Sequence, residues 1–117
     1  MGGTYLSEDE VSAARAHELV AAGEAWLLDV REPFEWEEVR SPDAHLIPLS
    51  QLQDRQDELP DDQQILVVCH SGGRSRLVTD ALLRADFPAA NVAGGMIAWE
   101  SSGAPIERGS AATGDVG

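Results

Sequence analysis

The sequence predicts an α/β domain of three layers, a central parallel sheet flanked by helices, and three observations carry that reading. Short apolar runs alternate with segments of helical periodicity, the order that builds a parallel sheet covered on both faces by right-handed crossovers. The run from Ile65 to Val68 is β-branched and uninterrupted, as in a strand buried on both sides. At 117 residues the chain suits one domain with one core.

Each element follows from local signals. Residues 1–10 are Gly-rich and acidic and are expected to be mobile, with the domain running over 11–108 and a disordered tail over 109–117. Val11 begins a short extended piece and Ser12 is a suitable N-cap for a helix over Ala13 to Ala22. Ala16, Leu19 and Val20 form that helix's buried stripe, and Gly23 ends it in the left-handed conformation. Trp26 to Val30 reads as a buried strand. Pro33 suits the first turn of the next helix, where its missing N–H costs nothing, and Phe34 with Val39 is expected to pin that helix to the core. Trp36 is read as packing.

Leu46 to Pro48 predicts a second short strand, and Ser50 with Gln53 has the spacing of a capping box that opens a helix toward Glu58. Pro60-Asp61-Asp62 turns the chain into the Ile65 strand. Ser75 to Ala85 reads as a helix with Val78, Ala81, Leu82 and Ala85 on its apolar stripe. Asn91 to Ala93 is a last strand, Gly94-Gly95 a tight turn, and Met96 to Ser101 a closing helix stopped by Gly103 and Pro105. No repeat or internal linker divides the chain.

Composition narrows the function classes. Eight basic against 21 acidic residues give a net charge of −13, which argues against nucleic acid, whose phosphates need a basic face. The excess is uneven: Arg74, Arg76 and Arg84 face Asp80 alone in their segment, so an anionic substrate would be drawn there, while the acidic remainder reads as a solvated face. A single cysteine excludes an internal disulfide and a cysteine metal cluster, and His17, His45 and His70 show no ligand spacing with it. No metal, cofactor or membrane partner is expected. The chain shows no export signal or spanning run, and a cytoplasmic location is the default expectation.

The segment Ile65 to Ser75, ILVVCHSGGRS, carries the chemistry. The apolar run ends in Cys69, Gly72 and Gly73 allow a sharp turn, and a helix follows, so the sulfur sits at a helix N-terminus among backbone N–H groups with Arg74 nearby. Such surroundings lower a thiol pKa from about 8.5 into the range of roughly 3.5–7.5. A lone cysteine after an apolar run also fits a small core residue. Two consecutive glycines at a strand-to-helix turn favour the reactive reading.

CHSGGRS resembles the active-site loop of the rhodanese-like sulfurtransferases. LLDVREPFEWEEV, HLIPLSQL, NVAGGMIAW and the later GAPI resemble further segments of that family, so the similarity runs from about Val11 to Ile106. One stretch departs: Ser41-Pro42-Asp43-Ala44-His45 stands where family members commonly carry Gly-His-Ile-Pro-Gly-Ala. No role is carried to His45, which is expected at the surface or a strand edge. The resemblance implies a three-layer rhodanese-like fold and a single-domain sulfurtransferase of the thiosulfate:cyanide type, needing no cofactor. Cys69 would be the nucleophile that carries a persulfide, cradled by the loop residues His70, Ser71, Gly72, Gly73, Arg74 and Ser75.

The donor would be a small anionic sulfur compound such as thiosulfate, and the acceptor a thiophile: cyanide, a thiol or a protein. Arg74 would anchor the loop or bind donor oxygens. Ser75 would cap the helix, its hydroxyl also within reach of the persulfide. His70 adjoins the nucleophile, yet neighbours in a tight loop point apart, so it is read as lining the rim rather than acting as a base. Asp29 and Arg31 resemble the family's Asp-x-Arg, which implies a brace for the active-site side of the sheet. Two alternatives stand beside this reading: a persulfide relay or binding module serving a protein partner, and a phosphatase or arsenate reductase on a similar fold. The latter enzymes place five residues between cysteine and arginine, whereas Cys69 and Arg74 have four.

Overall fold

The structure is a computed structural model, and it describes residues 5–109. The first four residues and the expected tail beyond Gly109 lie outside the described residues. Five strands, β1 (Glu10–Val11), β2 (Ala25–Asp29), β3 (Ala44–Leu46), β4 (Gln64–Val68) and β5 (Ala89–Val92), form one sheet in the order β1-β5-β4-β2-β3, with every neighbouring pair parallel. Four helices connect or cover them: α1 (Ala13–Ala21), α2 (Pro33–Glu38), α3 (Gly73–Arg84) and α4 (Gly95–Ser101).

The middle strand explains its own sequence. Leu66 and Val68 of β4 face a core layer completed by Ala16 and Leu19 of α1 and Met96 and Trp99 of α4. Ile65 and Val67 face the opposite layer, with Val78 and Leu82 of α3 and Ile47, Leu52 and Leu59. Both sides of the strand are buried, so after Gln64 it is apolar from Ile65 to Val68. Burying one such side chain contributes roughly 1.5–3 kcal/mol.

α1 follows the expected signals. Ser12 Oγ accepts the Arg15 amide at 3.1 Å, and Gly23 takes φ +75° just beyond the helix. Four expectations are corrected. Phe34 is 68% exposed and does not pin α2; Arg31 does, as described below. Ser50 and Gln53 form no capping box, and two short 3-10 segments, Leu49–Gln51 and Gln53–Glu58, replace the expected helix. The buried face of α3 consists of Ser75, Val78, Thr79 and Leu82, leaving Ala81 and Ala85 exposed. Thr79 tolerates burial because its hydroxyl donates to the Ser75 carbonyl at 2.8 Å. β3 comes two residues earlier than the Leu46–Pro48 reading. His45 sits on that edge strand, exposed on one side and stacked on Trp26 at 4.1 Å. No helix among the described residues is long and apolar enough to cross a membrane.

Candidate active site

β4 delivers Cys69 to the carboxyl end of the sheet's middle strand, where ligands bind in open α/β folds. The chain then turns through Gly72, whose φ of +113° is closed to most residues, and enters α3. This turn wraps backbone donors around the sulfur. The amide of Gly72 donates to Cys69 Sγ at 3.1 Å and that of Ser75 at 3.3 Å, while Ser75 Oγ lies 3.2 Å away. Of the loop residues His70 to Ser75, those whose amides hydrogen-bond the sulfur are Gly72 and Ser75, with a contribution from Ser71.

The residue is only 1% exposed, and burial alone would push the thiol pKa up. The Ser75 hydroxyl, when its proton turns to the sulfur, and the amides of Ser75, Gly72 and Ser71 outweigh that burial, so the thiol lies below its ordinary value. Iodoacetamide should therefore alkylate Cys69 faster at pH 6 than it alkylates an ordinary thiol of pKa about 8.5. A rate profile centred on that ordinary value would contradict the cradle.

Arg74 does not turn its guanidinium to the sulfur. Its two terminal nitrogens hold both carboxylate oxygens of Glu35 on α2, each at 2.9 Å, a paired fork geometry that fixes the loop. The Arg74 hydrogen bond, opposed by burial, holds the Glu35 pKa down at about 2. The clamp therefore persists far into acid.

Glu35 is itself held from below. Arg31 is 1% exposed and grips the carboxylate of Asp29 through Nε at 3.0 and 3.1 Å and through Nη2 at 2.8 Å. The same guanidinium donates to the carbonyls of Glu35 at 3.3 Å and Val39 at 2.6 Å, which secures the middle and the C-terminal end of α2. Asp29 and Arg31 thus connect β2 to α2, and Glu35 connects α2 to the cysteine loop. His70 is exposed at the rim.

Three contributors escaped the sequence reading. Glu35 lies 39 positions from Arg74, and no local spacing announces the pair. Asn91 of β5 accepts from the Ser75 hydroxyl. Gly94-Gly95 is more than a turn: the amides of Met96 and Ile97 donate to the carbonyls of Cys69 and His70 at 2.8 and 3.2 Å. A Cβ on Gly95, where φ is +59°, would stand 2.4 Å from the Cys69 carbonyl oxygen and 2.5 Å from that of His70. Gly95→Ala should therefore lose about 1–3 kcal/mol through backbone strain alone and displace the loop as well. A thermal midpoint and a Cys69 alkylation rate both equal to the parent's would refute this role.

A parallel α/β domain whose middle strand ends in a buried cysteine under backbone donors is the class of protein that fold and site define. The model of the Rhodanese-like domain matches residues 12–102, and the chain belongs to that family. A sulfurtransferase of Allochromatium vinosum is 31% identical over 96 residues, covering 81% of this chain and 90% of its own. YtwF of Bacillus subtilis, which carries the provisional name of a sulfurtransferase, is 36% identical over 97 residues, 82% of this chain and 94% of its own. Among solved structures, a rhodanese-related protein of Thermoplasma volcanium superposes with a TM-score of 0.79 at 29% identity, covering 86% of this chain and 98% of that one.

Proposed function

We propose that the protein is a single-domain sulfurtransferase that carries sulfur as a persulfide on Cys69. The observation that carries this reading is the buried Sγ held by the amides of Gly72 and Ser75 and lowered in pKa. In the first half-reaction the Cys69 thiolate attacks the outer sulfur of thiosulfate. A new S–S bond forms, the donor's S–S bond breaks, and sulfite leaves with its electron pair. In the second, a thiophile such as cyanide attacks the outer sulfur of the persulfide, takes it as thiocyanate, and returns the thiolate. The loop amides are already oriented when negative charge collects on sulfur, so they stabilise it without reorganising. Arg74 acts by holding the loop to α2, and His70 lines the opening where donor and acceptor enter.

Two features favour sulfur over phosphate. Four residues separate Cys69 from Arg74, and the Arg74 fork is occupied by Glu35 instead of facing a bound oxyanion. The test is intact-mass measurement of the full chain after thiosulfate, and again after cyanide. The protein should gain the mass of one sulfur atom and then lose it. A protein relay would load sulfur but surrender it slowly to cyanide. Hydrolysis of an aryl phosphate without any uptake from thiosulfate would replace the proposal with the phosphatase reading.

A further inference from the structure

Ser75 has one hydroxyl proton and two acceptors within reach. Its Oγ lies 3.2 Å from Cys69 Sγ and 2.5 Å from Asn91 Oδ1, and all three residues are buried. The far end of the Asn91 amide decides how it is turned. Asn91 Nδ2 donates to Glu10 Oε2 at 2.9 Å, and a carboxylate can only accept. Glu10 therefore presents Oδ1, and not Nδ2, to Ser75.

Two oxygens 2.5 Å apart require a proton between them, so Asn91 claims the Ser75 hydroxyl hydrogen. The hydroxyl then shows the sulfur a lone pair, which suits an S–H that donates and opposes a thiolate. To ionise Cys69, Ser75 must turn its proton to the sulfur, and Asn91 must give up its bond. The backbone amides act on Sγ whichever way the hydroxyl points. The hydroxyl is the adjustable part.

We propose that Glu10 is a positioning residue that restrains the ionisation of Cys69, acting through the amide of Asn91 and the hydroxyl of Ser75. The fold supplies the connection: β1 pairs with β5 so that Glu10 stands beside Asn91, and the first turn of α3 places Ser75 between Asn91 and the sulfur. The other charged groups nearby are paired among themselves, Arg76 of α3 with Asp9 and Asp80, and Arg74 with Glu35. The property concerned is the proton on Cys69, so the inference does not rest on sulfur transfer.

The test is the pH profile of Cys69 alkylation by iodoacetamide in the full chain. In Glu10→Gln the side-chain amide can donate to Asn91 Oδ1, which turns Nδ2 toward Ser75 and frees the hydroxyl proton for the thiolate. The midpoint should fall by about one unit, a roughly tenfold rise in thiolate below the midpoint. Loss of the Glu10 charge also acts through space, and a second background separates the two effects. With Ser75→Ala already present, Glu10→Gln should move the midpoint by less than half as much. If Ser75→Ala fails to fold, Asn91→Ala breaks the chain at another link and serves the same purpose. No fall in Glu10→Gln, or a fall at least half preserved in the second background, would overturn the proposal.

Discussion

In the Cys69→Ser protein, thiosulfate is expected to add no sulfur, and turnover of thiosulfate with cyanide should drop on the order of 10⁴-fold or more, toward the uncatalysed rate. The size of the effect follows from what the cradle recognises. Gly72 and Ser75 amides stabilise an anion at the sulfur position, and a serine hydroxyl does not ionise there at neutral pH. Cys69 is also the only thiol in the chain, so no neighbour can take its place. The variant should otherwise fold normally, since an O–H can use the same hydrogen-bond partners. Coupled turnover and intact mass check the expectation, and parental turnover in Cys69→Ser would mean that another group is the nucleophile.

The second large effect is expected at Asp29. Asp29→Ala leaves the Arg31 guanidinium buried without its carboxylate, facing only the carbonyls of Glu35 and Val39. Removing one member of a buried ion pair typically costs about 3–5 kcal/mol, because the remaining charge stays desolvated. Against a total stability of about 5–15 kcal/mol this loss is severe. α2 should loosen with it, so the Arg74–Glu35 clamp and the alkylation rate of Cys69 should change in the same variant. Urea unfolding gives the measurement. An unfolding midpoint equal to the parent's would show that the pair carries no net stability, and replacing both residues with apolar ones should restore part of the loss.

The cysteine strand was legible because its environment is uniform. β4 is buried on both faces, so its sequence is apolar from Ile65 to Val68, and the glycine turn beyond it is a local requirement of backbone geometry. α1 was legible for a similar reason, its cap and terminating glycine being set within a few residues. The misreadings share a different cause. α2 is six residues long, too short for periodicity to indicate which face is covered, and its attachment is made by Arg31 from outside the helix. On α3 the apolar alanines suggested a stripe through Ala81 and Ala85. The actual inward face is set by the need to place Ser75 against Cys69 and Asn91. Glu35, Asn91 and Glu10 belong to the site through pairings of distant segments, and a single sequence contains no local trace of them.

The strand order β1-β5-β4-β2-β3 has a consequence for how the reactive thiol comes into being. β1 pairs only with β5, so the first strand made is the last that can dock, and it must wait across nearly the full domain for its neighbour. α4, which seats the carbonyls of Cys69 and His70, is later still in the chain. Contacts of such long sequence separation form late because loop closure is entropically costly. During synthesis the cysteine therefore emerges well before Asn91 and α4 can seat its loop, and until then its sulfur is unshielded. Selective reactivity at Cys69 is a property of the closed chain, acquired only in the final steps of folding.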